Sequence, residues 1–257
     1  MSGRFSHLEF DEGRRRKEAR QAGAPQPSAE NFLALADEEY RWGRFERALQ
    51  LFTRCLEEDR GTIRAWVAQV QMLVQLGECH EARLWSDKAL ELFRNNGELL
   101  AAKAQACARL GDMAAGQACS DASLQAIGSS AWRWEVRGEV LLAAGEPLHE
   151  TCFKKALAEP GADWFDRVII ANICLFYHRA AAAFEYVRQA TELCPQAGYA
   201  WFVLGNTQRQ LGLAGAAKTS YHRCLEIRTD YSEAQYAIAD TENEPFLTRL
   251  RRWLGWR

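Results

Sequence analysis

Cysteine and histidine are the side chains best suited to covalent or metal chemistry, and their spacing here argues against both. Eight cysteines and five histidines are spread over 257 residues. No two cysteines form a C-x-x-C pair, and His80, His149, His178 and His222 are too scattered to complete a zinc pattern with them. Acidic pairs such as Glu38–Glu39 and Glu57–Glu58 read as solvated helix surface rather than paired acid and base. The chain carries no G-x-x-x-x-G-K-[ST], no G-x-G-x-x-G after a strand, no G-x-S-x-G and no H-E-x-x-H. An enzyme is not expected, nor a metal ion or cofactor.

The elements that position side chains announce themselves through a period. Gly43, Gly77, Gly111 and Gly145 follow one another at intervals of 34 residues; the series reaches His178 after 33 and Gly212 after another 34. Glycine at such a point supplies the positive φ that ends one helix and turns the chain back into the next. Units then begin at Ala29, Ile63, Gly97, Ala131, Trp164 and Gly198, with a partial seventh at Ser232. Their fourth position holds Phe32, Trp66, Leu100, Trp134, Arg167 and Trp201. Their eighth is mostly small: Ala36, Val70, Ala104, Gly138, Ala171 and Gly205. The twentieth holds Ala48, Ala82, Gly116, Ala183 and Ala217. A late aromatic recurs as Phe52, Phe153 and Tyr221, the second after a one-residue deletion. Small residues let two helices approach, and a large one fills the groove beside them.

This alternation resembles the tetratricopeptide repeat. Trp201-x-x-Leu204-Gly205, followed by Gly212, Ala217, Tyr221 and Cys224, carries the likeness best. Units three to five depart from it: Ser120 stands for the late aromatic, Arg167 for the early one and His178 for the turn glycine. The resemblance covers about residues 29–240. It implies an all-α, right-handed α-solenoid of helix-turn-helix hairpins: six repeats plus a partial seventh. Each hairpin leaves an apolar face that only the next can cover.

Composition agrees with a scaffold. Hydrophobic residues make up 48% of the chain, enough for a continuous core, and the formal net charge is −2. Residues 1–28 carry a net +2 and residues 245–257 a net +4, leaving −8 on the body between them. Such a body would repel phosphate, so nucleic acid is not an expected partner. Cys55, Cys107, Cys174 and Cys224 fall where the packing wants a small apolar side chain, so reduced core thiols are expected. With no run of about 18 apolar residues, the chain reads as cytoplasmic.

In the family, unit positions 2, 5, 9 and 12 line the concave face of the first helices, and a polypeptide partner binds there. In units four to six these positions include Trp132, Glu135, Glu139, Phe165, Asn172, Tyr199, Phe202, Asn206 and Arg209, and Tyr236 follows in the partial seventh. Large aromatics on a face that hairpin packing does not need to bury mark a recognition surface. Asn172 and Asn206 share a unit position, and an amide can both donate to and accept from a peptide backbone. No lysine occupies position 5, so the clamp that grips chaperone carboxylate ends is not expected.

The two ends read as separate elements. Residues 1–28, with Phe5, Leu8 and Phe10 before a Pro/Gly run, form a flexible segment and linker, either a docking motif or a terminus without a role. Ser28 is a candidate N-cap. Residues 245–257 form an amphipathic helix with Phe246, Leu250, Trp253 and Leu254 on one stripe. That helix caps the array; the alternative is a peripheral membrane tether lying on an anionic surface through its arginines and tryptophans.

Overall fold

A computed structural model describes residues 28–243; the N-terminal segment expected to be flexible and the amphipathic helix expected over residues 245–257 lie outside the described residues. Among the described residues there are thirteen helices and no strand. They run α1 (Ala29–Arg41), α2 (Phe45–Glu58), α3 (Ile63–Gln75), α4 (Cys79–Leu92), α5 (Gly97–Arg109) and α6 (Met113–Gln125). There follow α7 (Ala131–Ala143), α8 (His149–Ala158), α9 (Trp164–Phe176), α10 (Ala180–Leu193), α11 (Gly198–Gln210), α12 (Ala214–Ile227) and α13 (Ser232–Asn243). Every first helix starts on the residue at which the period opens a unit. Ser28 caps α1, its hydroxyl accepting from the Asn31 backbone N–H at 3.3 Å.

Two compact units divide the chain. One holds α1–α6 with the turn Ala143–Gly145; the other runs from Ser130 through α13, apart from that turn. Within the first, three hairpins pack in sequence, and the first helices α3 and α5 also touch. Within the second, α9 touches α11 and α11 touches α13 in the same manner.

Each turn needs a left-handed residue. Gly43, Gly77, Gly111, Gly145 and Gly212 have φ between 73° and 81°. His178 takes the same place at φ 58°, so the repeat keeps its turn without its glycine, at a steric cost that a Cβ imposes. The small-against-large pairing is equally concrete. A Cβ on Gly138 would lie 2.3 Å from Phe153 Cε1, and one on Gly205 would lie 2.4 Å from Tyr221 Cε1. Phe52, Phe153 and Tyr221 are accordingly buried.

The early aromatic does more than fill a groove. Trp66 donates its indole N–H to the Arg60 carbonyl and Trp201 to the Pro195 carbonyl, both at 2.9 Å and both six residues upstream. Each indole thereby ties the incoming loop to its helix. Trp134 instead donates to the Glu159 carboxylate at 3.1 Å. Where Arg167 replaces the aromatic, its guanidinium still donates upstream, to the Asp163 carbonyl at 3.0 Å. The substitution preserves the tie.

Cys55, Cys107, Cys174 and Cys224 are all buried, as the repeat register requires, and all eight cysteines are free thiols. Burial pushes Cys174 and Cys224 up to about 12. Among the described residues no helix is long and apolar enough to cross a membrane.

Candidate partner-binding site

The residues singled out on the second unit lie on α7, α9, α11 and α13, each placed by helical register. Asp163 opens α9 as a capping box: its carboxylate accepts from the Phe165 backbone N–H at 2.6 Å while Asp166 accepts from the Asp163 N–H at 2.6 Å. That cap sets the rotation of α9 and so the direction of Phe165, Val168 and Asn172.

Phe165, Tyr199 and Phe202 form one run of rings. Phe165 and Tyr199 stand 6.4 Å apart between centroids, and Tyr199 stacks on Phe202 at 6.4 Å with planes 25° apart. The run continues from Phe202 to Tyr221 at 5.9 Å and to Tyr231 at 5.3 Å. Aromatic pairs at these separations attract beyond their area burial. The expectation of an open aromatic face is corrected here: Phe165 is 6% exposed and Tyr199 4%, because rings from successive repeats cover one another. Trp132 and Phe202 are half-buried, and Tyr236, on α13, is 71% exposed.

The two asparagines, expected as a ladder, take different partners. Asn172 Nδ2 donates to the Tyr199 hydroxyl at 2.9 Å, from α9 to α11. Asn206 Oδ1 accepts from the Tyr221 hydroxyl at 2.9 Å, inside the α11–α12 hairpin. Both amides remain half-buried rather than sealed. Burial pushes the Tyr199 phenol well up, with the Asn172 bond opposing it. Tyr221 is pushed up in the same way, and Arg209 beside it opposes the shift.

Glu135 and Glu139 lie one turn apart on α7 and are fully buried, again not on an open face. Glu139 sits close enough to Cys174 of α9 to add to the rise that burial imposes on that thiol. Carboxylates so placed need compensating charge or hydrogen bonds. Among the described residues no group of three or more His, Cys, Asp or Glu side chains could hold a metal ion.

Residues 198–231, spanning the α11–α12 hairpin and Tyr231, match the family model of the tetratricopeptide repeat. That hairpin is a tetratricopeptide repeat. Solved structures show the same fold. A tetratricopeptide repeat protein from Parabacteroides merdae aligns at TM-score 0.53 and 15% identity, over 89% of this chain and 90% of that one. A monomeric mutant of IFIT1, solved with m7Gppp-AAAA, aligns at TM-score 0.51 and 14% identity, over 93% of this chain and 61% of that one. No curated protein matches the chain by sequence.

In this repeat protein, periodicity missed two partners of the candidate site. Tyr221 was legible as a groove-filling ring, but the bond from its hydroxyl to Asn206 was not. Tyr231 lies just before α13, and its only signal was an aromatic immediately ahead of a unit start.

Proposed function

We propose that the protein is an interaction scaffold, not an enzyme, and that it holds a polypeptide partner on the α7, α9, α11 and α13 side of its second unit. The observation that supports this reading most is the aromatic run Phe165–Tyr199–Phe202 with two half-buried asparagine amides beside it, Asn172 on Tyr199 and Asn206 on Tyr221. Asn172 uses one amide hydrogen on Tyr199, which leaves its carbonyl oxygen and a second hydrogen for a peptide backbone. Asn206 uses its oxygen on Tyr221, which leaves both amide hydrogens to donate. These bonds hold the amides in place before a partner arrives, which lowers the ordering cost of binding. The half-buried Trp132 and Phe202 edges and the exposed Tyr236 supply apolar contact.

The acidic body, with a net charge of −8 over residues 29–244, favours a partner bearing basic residues over nucleic acid or a carboxylate-ended chaperone peptide. Free buried thiols fit a reducing, cytoplasmic setting. The test is affinity purification with the intact protein, followed by binding measurements on Asn172→Ala/Asn206→Ala. A partner bound equally well by wild type and double variant overturns the assigned face.

A further inference from the structure

The aromatic run of the second unit reaches Tyr231, whose ring stands 5.3 Å from Phe202 just before α13 begins. α13 seats itself through Ala234, Ala237 and Thr241, buried at successive turns, and packs on α11 and α12. Another stripe of the same helix faces outward. Glu233, Tyr236 and Asp240 are all exposed, Tyr236 by 71%. They lie three and four residues apart, so the ring has a carboxylate one turn to either side. Glu233 accepts from the Ser232 hydroxyl at 3.1 Å, and among the described residues neither carboxylate forms an ion pair.

The repeat assigns the chain's own C-terminal segment a different place. The eighth position of a unit, where the second helix of a hairpin crosses the first, is buried at Ala36, Val70, Ala104, Gly138, Ala171 and Gly205. In the partial seventh unit this position is Ala239, and Ala239 is exposed. The cap expected over residues 245–257 belongs against Ala239, about 90° round the helix from the middle of the Glu233–Tyr236–Asp240 stripe. The stripe is left to a partner.

Its chemistry selects what that partner presents. A carboxylate brought here meets two of its own sign, and an apolar side chain would strip water from both without replacing it. A guanidinium is planar, lies flat on an aromatic ring and directs its N–H groups at carboxylates beside it. We propose that Glu233, Tyr236 and Asp240 form an arginine-binding subsite of the partner surface. A partner's arginine stacks on the Tyr236 ring and donates to the two carboxylates. The subsite rests on the scaffold reading and adds to it one residue type that the partner carries. Lysine, a compact ammonium with no flat face, binds there more weakly.

The experiment titrates the intact protein into a fluorescein-labelled peptide of alternating glycine and arginine and reads anisotropy. Salt is held at about 0.15 M, where charges more than about 8 Å apart are largely screened. Tyr236→Ala should weaken binding about threefold through loss of the ring, whereas Tyr236→Phe should not. Glu233→Gln/Asp240→Asn should weaken it at least as much. All three positions are exposed, so helical circular dichroism should be unchanged. Glu57→Gln/Glu58→Gln, which removes the same charge from exposed positions on α2, is the control and should bind as wild type does. Equal weakening in the control, equal affinity for the glycine–lysine peptide, or no measurable binding overturns the subsite. So does tighter binding by Arg251→Gln/Arg252→Gln, which would put the chain's own tail on the stripe. A partner recovered by affinity purification separates this subsite from the scaffold reading. If Asn172→Ala/Asn206→Ala loses that partner while Glu233→Gln/Asp240→Asn holds it fully, the subsite alone is overturned.

Discussion

Asn172 donates its side-chain amide to the Tyr199 hydroxyl at 2.9 Å, so a polar side chain of one repeat holds the buried ring of the next. Asn206, at the equivalent position one repeat later, accepts from Tyr221 of its own hairpin instead. One asparagine couples repeats, and the other braces a hairpin.

Replacing Asn172 by Ala therefore acts on stability as well as on binding. The Tyr199 hydroxyl loses the bond from Asn172 while buried, at a cost of about 1–3 kcal/mol. The Tyr199 phenol, already pushed up by burial, should rise further, because the lost bond is the one that opposed the shift. Denaturant unfolding and spectroscopic phenol titration check both. The paired variant Asn172→Ala/Tyr199→Phe should recover most of the stability. An Asn172→Ala protein as stable as wild type contradicts the coupling role.

Gly205→Ala places a methyl group against the Tyr221 ring, 2.4 Å from Cε1. The ring cannot move freely, since its hydroxyl is tied to Asn206. Overpacking of this kind costs about 1–3 kcal/mol, and the loss should appear in the denaturation midpoint. Gly138→Ala against Phe153 should behave alike. Gly215→Ala, where a Cβ meets nothing within 4 Å, should not destabilise.

His178→Gly relieves the left-handed strain at φ 58° and restores the residue type used by the other turns. A gain of about 1 kcal/mol is expected, the strain relieved exceeding the extra freedom glycine adds to the unfolded chain. His178→Val should lose stability, because a β-branched residue tolerates that φ least. A thermal melt of the three proteins decides; a glycine variant below wild type would show that the turn carries no strain.

The buried thiols predict alkaline sensitivity. Cys174 and Cys224 are raised from 9.0 to about 12 by burial, so above pH 9 the unfolded chain gives up protons that the native state keeps. Their contribution is complete below the unfolded value and is lost as pH rises toward 12. Unfolding free energy should therefore decline across the alkaline range, and Cys174→Ala should flatten the decline. A pH-independent wild type would contradict the assignment.

The C-terminal amphipathic segment, proposed as a cap, has a direct test. Tyr236 is 71% exposed on α13, and α13 packs on α11 and α12. Docking each Leu or Phe of the stripe Phe246–Leu254 contributes about 1.5–3 kcal/mol. Truncation after Glu244 should lower the melting temperature and raise hydrogen exchange first in α12 and α13. Unchanged stability with loss of binding to anionic vesicles would replace the cap by the membrane-tether reading.

The sequence by itself determined the helical hairpins, their starts and their tight contacts. Those depend on local matters: a turn residue every 33 or 34 positions, a small residue facing a large one, a serine before a helix. Even so, Arg167 and His178 broke the pattern, and only the structure shows how each keeps its function, one through an upstream carbonyl and one by accepting a strained φ. Exposure was the part beyond reach. Phe165, Tyr199, Glu135 and Glu139 sit at positions that register marks as open, yet they are buried. Whether a face is covered depends on rings and helices tens of residues away. Tertiary packing likewise chose different partners for Asn172 and Asn206, because a unit position specifies direction along one helix but not what stands opposite.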